Sequence, residues 1–506
     1  MGTEIELKLA APAAAIRNAA SLSWLKEIAA GAATQAKLQS IYFDTPKCAL
    51  RDHGVSLRVR NTGSRHLQTI KSAAGTALGR NEWEQEIEGD KPRLDLAEDT
   101  ALGRMLTGKL CKRLQPIFET NVDRVTMPVR IGESEFELAF DTGEVRTPND
   151  QCAPIAEIEI ELKRGNRRDA VTLLRELARK IELTYAPRTK AERGYALLDG
   201  DADAPVKAGH VPLAEASTAA AFAQIGLECL RQVGANEAAV RREDPEGVHQ
   251  MRIGLRRLRA ALSLFKDMVR GTEVRRIKGE LKWLTEQLGP ARDRDVFLTK
   301  TVAPFRSAHQ DQPEFALLEE DAANDRRKGF ARARAAVESE RFRHLLLDVT
   351  AWLLDGDWRN ASDPLRQALR QRPIADVAAR ELKRRTRKIV KRIGRLERLD
   401  AVQRHKLRIA VKKLRYGREF FAELRDVVGG GRRARRFNAA LKRMQSALGD
   451  LNDMRVHAGW SHDVAGANAA SEKAIALGYL VGCEAARIPA VLDEALVAGK
   501  RLKRVA

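Results

Sequence analysis

Thr3-Glu-Ile-Glu-Leu-Lys-Leu9, at the start of the chain, alternates strictly between polar or charged and aliphatic side chains. Successive side chains of a β-strand point to opposite faces, so this stretch predicts a strand with Glu4, Glu6 and Lys8 on one face. One strand of this kind is ordinary when its charged face meets water. Several such strands in one domain would indicate a less common structure, a barrel whose interior is charged.

The alternation recurs through the first 200 residues, and acids and bases are sorted onto different strands. Glu157-Ile-Glu-Ile-Glu-Leu-Lys163 repeats the opening pattern with three glutamates on one face. The other alternating positions are Glu82, Glu84, Glu86 and Glu88; Glu135, Glu137 and Asp141; Arg58 and Arg60; Thr69 and Lys71. A solvated sheet face explains any one of these strands. The sorting of charge favours walls divided between metal binding and anion binding.

The charged residues have a definite chemistry. Clustered carboxylates without His or Cys suit hard cations such as Mg²⁺ or Mn²⁺. Arg and Lys groups would then hold phosphates that bridge to those ions. The combination indicates phosphoryl transfer, in which positioning and charge neutralisation supply most of the catalysis. The sequence lacks a Walker-type glycine loop, which argues against a P-loop enzyme.

Composition and charge bound the remaining possibilities. The chain has 506 residues and a net charge of +21. The first 200 residues hold 30 Lys and Arg against 29 Asp and Glu, which leaves 60 against 40 in residues 201–506. The positive excess therefore lies in the C-terminal part and indicates a polyanionic partner. Aromatic residues are only 5%, which argues mildly against stacking on single-stranded nucleic acid.

The cysteines and the apolar residues indicate where the protein works. The five cysteines are odd in number, widely spaced and free of C-x-x-C motifs, so neither a disulfide framework nor a zinc site is expected. The N-terminus shows a polar strand where a signal peptide would need an apolar core. We expect no membrane-spanning stretch of about 18 apolar residues. These features predict a cytoplasmic protein without a membrane partner.

The chain divides into an α+β half and an all-α half. Strands are predicted at 3–9, 38–44, 55–61, 66–72, 81–88, 116–126, 135–141 and 155–163, and helices at 12–30, 94–108 and 166–182. Small, polar and Pro/Gly residues at 201–212 predict a linker. The predicted domains are thus 1–200 and 213–506, and only helical periodicity follows the linker.

The helical half contains an internal repeat. His249-Gln-Met-Arg-Ile-Gly-Leu-Arg-Arg-Leu-Arg259 matches His405-Lys-Leu-Arg-Ile-Ala-Val-Lys-Lys-Leu-Arg415. Each copy places one histidine and three cations along one helix face: His249, Arg252, Arg256 and Arg259 in the first; His405, Arg408, Lys412 and Arg415 in the second. A solvated basic face explains one such helix, but two copies in the same phase favour a trough for a polyanion. Zinc binding by the histidines is disfavoured, because no carboxylate or cysteine completes the spacing.

The first half resembles the CYTH superfamily of triphosphate tunnel metalloenzymes. The resemblance rests on ordered motifs that cover most of residues 1–198: Glu4-x-Glu6-x-Lys8, Tyr42-Phe-Asp-Thr45, Leu57-Arg-Val-Arg60, Thr69-Ile-Lys71, Arg80-x-Glu82, Arg124, Asp141-x-Gly143, Glu157-x-Glu-x-Glu161 and Lys190-Ala-Glu-Arg-Gly194. It implies an eight-stranded antiparallel barrel that forms a tunnel and binds triphosphate.

Residue roles follow from this resemblance alone. The implied metal ligands are Glu4, Glu6, Asp141, Glu159 and Glu161. One metal would bridge the phosphates, and a second would position the attacking water. The implied substrate-binding residues are Lys8, Arg58, Arg60, Lys71, Arg80, Glu82, Arg124 and Lys190. Glu4, Glu6 and Lys8 form the implied catalytic set, whereas Glu157 faces inward by parity without an assigned role.

The second half resembles the CHAD domain, a helical domain with conserved histidines that often follows CYTH. This resemblance covers residues of about 215–500 and is less specific, because helices tolerate more drift. It implies two pseudo-symmetric four-helix bundles that bind inorganic polyphosphate through the two histidine–arginine helices. The aspartates Asp293, Asp295, Asp450 and Asp453 are expected to cap helices or orient the arginines rather than bind metal.

Together these features favour a hydrolase, an Mg²⁺- or Mn²⁺-dependent inorganic triphosphatase. It would cleave tripolyphosphate to pyrophosphate and phosphate, and its helical half would bind long-chain polyphosphate. Two alternatives stay open. One is another tunnel activity: thiamine triphosphatase, nucleoside triphosphatase or adenylate cyclase. The other is a polyphosphate-binding scaffold with weak catalysis. Nucleic acid is the less favoured polyanion.

Overall fold

The computed structural model describes residues 5–76, 79–186, 188–213, 216–468 and 472–505. Only the backbone is described at residues 5, 73–76, 79–80 and 464–468. Within this part of the chain, nine strands precede a long all-helical region. The sequence therefore predicted the α+β class and the order of its two halves correctly.

The strands form one antiparallel sheet in the order β5-β4-β3-β2-β6-β7-β8-β1-β9. In chain order they are β1 (Ile5–Ala10), β2 (Thr34–Asp44), β3 (Val55–Asn61), β4 (His66–Thr76), β5 (Gly79–Ile87), β6 (Gln115–Ile131), β7 (Ser134–Arg146), β8 (Cys152–Arg164) and β9 (Thr184–Tyr185). The sheet is barrel-like, but no pairing between its outer strands β5 and β9 closes it within the described residues. A ninth, two-residue strand joins the eight that were predicted.

Helices connect the strands and fill the second half. Those up to residue 264 are α1 (Ala13–Ala19), α2 (Ser23–Glu27), α3 (Ala49–Asp52), α4 (Gly108–Cys111), α5 (Arg167–Lys180), α6 (Lys190–Leu198), α7 (Thr218–Gly234), α8 (Glu237–Arg241) and α9 (Pro245–Leu264). Those that follow are α10 (Thr272–Phe297), α11 (Ala303–Ala308), α12 (Pro313–Glu338), α13 (Glu340–Asp355), α14 (Asp357–Asn360), α15 (Pro364–Gln371), α16 (Ile374–Ile393), α17 (Ala401–Phe420), α18 (Arg425–Val428), α19 (Gly431–Asn468) and α20 (Glu472–Val505).

Two helix predictions were wrong in part. The helix expected at 12–30 is two short helices, α1 and α2, separated by a turn. The helix expected at 94–108 is replaced by two 3₁₀ turns, Leu94–Ala97 and Gly103–Met105, ahead of the four-residue α4. A Cβ on Gly103 would lie 1.8 Å from the carbonyl oxygen of Glu98, so the observed turn requires glycine at this position.

The apolar face of the sheet packs against helices and leaves the charged face on the other side. Leu7, Leu9, Ile158 and Ile160 are all buried in one cluster with residues of α1 and α5. Because side chains alternate along a strand, this packing places the charged residues of β1 and β8 on the opposite, shared face.

The chain forms two compact units. The first comprises residues 1–212, 223–254 and 337–360, and the second 213–222, 255–336 and 361–506. Leu347, Ala351 and Leu354 of α13 are buried in the cluster that lies under the sheet. The apolar core of the first unit therefore includes a helix from far along the chain.

One helix, α20, is long and apolar enough to cross a membrane by length and composition alone, with 22% of its most apolar window buried. The core helix of a soluble protein meets the same criterion. The expectation concerned an unbroken run of about 18 apolar residues, and Glu484 and Arg487 interrupt such a run in α20.

Candidate functional site

The register of the central strands brings acids and bases from four strands together. Lys8 on β1 lies opposite Glu159 on β8, and Asp141 on β7 lies opposite both Arg124 on β6 and Glu157 on β8. Directly opposite side chains on one face of a sheet are within contact distance. The charged face is therefore a set of interlocking ion pairs.

Three carboxylates form the acidic centre of this face: Asp141, Glu157 and Glu159. One oxygen of each lies within 4.8 Å of the other two. Asp141 and Glu157 are fully buried, and the Glu159 side chain is 12% exposed. Hard, closely spaced oxygen donors of this kind fit a divalent cation such as Mg²⁺ or Mn²⁺.

Lys190 inserts its ammonium group into this acidic centre. Its Nζ lies 2.7 Å from Asp141 and 3.0 Å from Glu159, and it also donates to Glu157. Arg193, one turn later in α6, pairs with the second oxygen of Glu157 at 3.1 Å. The first turn of α6 thus supplies two cations to three buried acids.

Two further cations surround Glu159. Lys8 Nζ donates to it at 2.5 Å and to Glu6 at 2.8 Å. Arg124 donates through Nη2 to Glu159 at 2.7 Å, and through Nε to Asp141 at 2.7 Å. The three carboxylates of the centre are therefore balanced by Lys8, Arg124 and Lys190, besides Arg193.

These ion pairs shift the pKa values in opposite directions for acids and bases. Burial alone would raise the pKa of Glu159, but Lys190, Lys8 and Arg124 outweigh it and hold that pKa well below its usual range. Burial alone would lower the pKa of Lys190, but Glu157, Glu159 and Asp141 raise it. Glu159 and Lys190 therefore both stay charged near neutral pH.

A second group of charges lies on β3, β4 and β5. Lys71 Nζ is 2.7 Å from Glu82, and Arg58 Nη2 is 3.8 Å from the same carboxylate. Attraction to Lys71 and Arg58 lowers the pKa of Glu82 although burial opposes the shift. Arg60 donates through Nε to Ser40 at 3.3 Å. The cations of this group come from β3 and β4, and its two acids, Glu82 and Glu84, come from β5; the Glu84 carboxylate accepts from the Thr69 hydroxyl at 3.0 Å.

Some predicted site residues take no part in these contacts. Glu4 lies outside the described residues, and so does the side chain of Arg80. Glu161 pairs with Lys163 at 2.5 Å and lies outside the three-carboxylate centre, across the ladder from Glu6. Of the five acids predicted to bind metal, the structure places Asp141 and Glu159 in that centre.

Glu157 and Arg193 are the residues that the sequence analysis missed. Glu157 has the same parity as Glu159 and completes the acidic centre. The sequence showed that Glu157 shares a face with Glu159. It did not show how deeply Glu157 is buried, because that burial depends on the packing of α6 against β8. Arg193 offered no sequence signal beyond its place within the Lys190-Ala-Glu-Arg-Gly194 motif.

The histidine–cation rows lie on α9 and α17, as the repeat predicted. Their side chains are half-buried except for Arg259, which is exposed. His405 is hydrogen-bonded through Nδ1 to Asn452 at 2.6 Å, and Arg408 Nη2 lies 3.8 Å from Asp453. Burial, with the Arg256 charge adding to it, lowers the pKa of Arg408 despite the nearby aspartates.

Two of the four aspartates, Asp295 and Asp453, contact arginines from positions inside helices. Asp295, inside α10, accepts from Arg326 Nε at 2.9 Å and from Arg292 Nη1 at 3.2 Å. Asp453 lies inside α19, far from either end. Of the two roles expected for these residues, capping is wrong for both, because interior positions of a helix have no free backbone N–H group to satisfy.

Comparison with known families agrees with this arrangement. The CYTH domain model matches residues 2–195, and the CHAD domain model matches residues 224–462. The chain carries a CYTH domain followed by a CHAD domain. The sequence analysis therefore predicted both families correctly.

The chain is similar to several curated proteins and solved structures. The inorganic triphosphatase of Haemophilus influenzae is 29% identical over 166 residues, which are 32% of this chain and 46% of that protein. The match thus spans about half of the relative's length. The CHAD domain of the plant Ricinus communis is 30% identical, covers 59% of this chain and 96% of its own, and has a TM-score of 0.50. A putative adenylyl cyclase from Hippeastrum, described as having a dominant triphosphatase activity, is 20% identical over 39% of this chain and 96% of its own, with a TM-score of 0.29.

Proposed function

We propose that this protein is a metal-dependent inorganic triphosphatase that hydrolyses tripolyphosphate to pyrophosphate and phosphate. The observation that carries the proposal is the buried centre of Asp141, Glu157 and Glu159 with Lys8, Arg124 and Lys190 among them. The CYTH domain and its similarity to an inorganic triphosphatase support it.

The charges of the centre explain how it would take up its ligands. Asp141, Glu157 and Glu159 would hold a divalent cation, which when bound neutralises charge on the phosphate oxygens. With a cation held there, Lys190 and Arg124 would no longer be needed to balance the carboxylates. Their N–H donors would then be available to phosphate oxygens. Metal and triphosphate would therefore bind together. The metal would replace Lys190 and Arg124 as the partner of the carboxylates, and the triphosphate would replace the carboxylates as the partner of Lys190 and Arg124.

The remaining proposed roles follow the same chemistry. The residues that would bind phosphate oxygens are Lys8, Arg58, Arg60, Lys71, Arg80 and Arg124, and Glu82 would be the acid among them. Glu4, Glu6 and Glu161 would supply further oxygen donors toward a second cation beside Lys8. Positioning of the terminal phosphate against a water would supply most of the rate enhancement.

The test measures phosphate release by the purified full-length chain on tripolyphosphate, with Mg²⁺, with Mn²⁺ and with excess chelator. We expect metal-dependent release and a loss of about a hundredfold or more in kcat/KM for Glu159→Gln. Glu135→Gln is the matched control, because Glu135 pairs with Arg130 at the surface, 44% exposed, and does not contact the centre. Metal-independent release, or equal rates in wild type and Glu159→Gln, would contradict the proposal.

Parallel assays decide between substrates. ATP and thiamine triphosphate carry the same triphosphate but add a nucleoside or thiamine group that must fit at one end of the site. If kcat/KM is higher for either compound than for tripolyphosphate, that compound is the preferred substrate. Cyclic AMP formation from ATP would assign the cyclase reaction instead.

A second activity is supported by the helical half, for which we propose binding of long-chain inorganic polyphosphate. The supporting observation is the pair Arg256 and Arg408, whose Nε atoms are buried without a hydrogen-bond acceptor in the described part of the chain. Burial lowers the pKa of Arg408. Arginines whose charge is balanced by few acidic groups of the protein favour a polyanionic ligand.

A further inference from the structure

Arg188 anchors the start of α6 to backbone that follows the tunnel domain. Its guanidinium donates to the carbonyl of Ala202, to that of Ala204 at 2.6 Å and to that of Ala235 at 3.0 Å. Ala235 directly follows α7, the first helix of the helical half. Arg188, two positions before Lys190, is therefore held by three carbonyl groups, two from residues 202–204 and one from the residue after α7.

A second arginine reaches the same turn from α7. Arg231 Nη1 lies 3.6 Å from Glu192 Oε1, and its Nε donates to Glu228 at 2.7 Å. Glu192 closes the capping box at the start of α6, because its carboxylate accepts the Thr189 N–H at 2.8 Å while the Thr189 hydroxyl accepts the Glu192 N–H. A contact to Glu192 therefore acts on the turn that presents Lys190.

Arg231 is enclosed on the side of Glu228 and more open on the side of Glu192. The side chains of Arg231, Glu228 and Glu192 are 22%, 8% and 37% exposed. Burial alone would lower the pKa of Arg231, but Glu228 and Glu192 raise it. Arg231 thus contacts Glu228 of its own helix on one side and Glu192 of α6 on the other.

We propose that Arg188 and Arg231 are positioning residues of the triphosphate site. They fix the first turn of α6, so that Lys190 reaches the acidic centre and the phosphates that bind there. Residues 223–235, at the start of the helical half, are thereby part of the tunnel site. This inference rests on the proposed function, since it assigns the helical half a role in the same reaction.

The experiment compares Arg231→Gln and Glu192→Gln with wild type on tripolyphosphate. Glutamine at position 192 preserves the capping box but removes the attraction to Arg231. We expect either variant to raise KM about tenfold with a smaller change in kcat, because a displaced Lys190 weakens phosphate binding. In a Lys190→Met background Arg231→Gln should add nothing further. Arg343→Gln is the control, because Arg343 of α13 pairs with Glu182 at 3.0 Å without contacting α6.

Amide hydrogen exchange gives a second readout that does not require activity. Residues 189–198 should exchange faster in Arg231→Gln and Glu192→Gln, whereas the amides of β6, β7 and β8 should keep their protection. An equal KM change in Arg343→Gln, an additive effect in the Lys190→Met background, or unchanged exchange in α6 would overturn the inference. If the wild type hydrolyses no tripolyphosphate, the proposed function is refuted. Hydrogen exchange in α6 would still show whether contacts from α7 stabilise α6.

Discussion

Arg58 and Arg60 lie on the same face of β3 and have pKa shifts of opposite sign. Burial would lower the pKa of Arg58, but Tyr42 and Glu82 outweigh it and raise that pKa. For Arg60, burial and repulsion from Arg58 and Arg124 lower the pKa to about 10. The charge of Arg60 is therefore poorly balanced by the surrounding protein groups. This is what we expect of a residue that binds an anionic ligand.

Replacing Arg60 should stabilise the protein and weaken its function. A cation whose folded pKa is depressed costs stability at neutral pH, and that cost fades only as pH rises from about 10 toward the ordinary pKa of an arginine. We expect Arg60→Met to raise the free energy of unfolding at pH 7 by about 1–3 kcal/mol and to raise KM for tripolyphosphate. Urea unfolding and steady-state kinetics measure the two effects.

Arg65→Met is the control for this substitution. Arg65 is 61% exposed and lies 3.7 Å from Glu86, so its removal should change stability little and KM not at all. A destabilised Arg60→Met protein would show that Arg60 is compensated in its site after all.

At the scale of elements, α6 is the part that completes the site, and it docks closely on β6. A Cβ on Gly194 would lie 2.2 Å from the ring of Phe118, which is itself packed between Tyr42 and Tyr195. The Tyr195 hydroxyl donates to the buried carboxylate of Asp44 at 2.9 Å. Glycine is required here for close approach, and the tyrosine fixes the helix on the sheet.

A methyl group at position 194 should therefore move α6 and the cation that it carries. We expect Gly194→Ala to destabilise the protein by about 1–3 kcal/mol, because the enclosed ring of Phe118 has no room to shift. KM for tripolyphosphate should rise as Lys190 is displaced. Thermal unfolding and kinetics test this, with Gly108→Ala as control, since nothing lies within 4 Å of a Cβ there. An unchanged KM would indicate that Lys190 tolerates movement of its helix.

At the scale of the whole molecule, the positive charge is concentrated where the second activity is proposed. The CYTH half is nearly neutral, because its acids and bases pair with one another, whereas residues 201–506 hold 60 Lys and Arg against 40 Asp and Glu. Such an excess attracts any polyanion, and affinity then falls steeply with salt. The specific binding that we propose would instead depend on the rows of α9 and α17.

Substitution of the two enclosed arginines separates these cases. We expect Arg256→Gln with Arg408→Gln to weaken binding of long-chain polyphosphate about tenfold or more while tripolyphosphate hydrolysis is retained. Arg435→Gln with Arg436→Gln removes the same charge from an exposed part of α19 and should have a smaller effect. Fluorescence anisotropy with labelled polyphosphate, with a DNA competitor, measures both. Equal losses in the two double variants would indicate a generic basic surface.

The sequence by itself determined the strands, their charged and apolar faces, the helical repeat and both families. Each of these depends on local alternation or periodicity, which a single strand or helix already contains. Only the tertiary structure placed Glu157 and Arg193 in the acidic centre, left the sheet without a closing pair of strands in the described part of the chain and buried α13 under it. These features depend on which elements pack together across long separations in the chain. The opening stretch, Thr3–Leu9, shows both cases: it predicted the charged face, but only packing brought Glu159, Arg124 and Lys190 to Lys8.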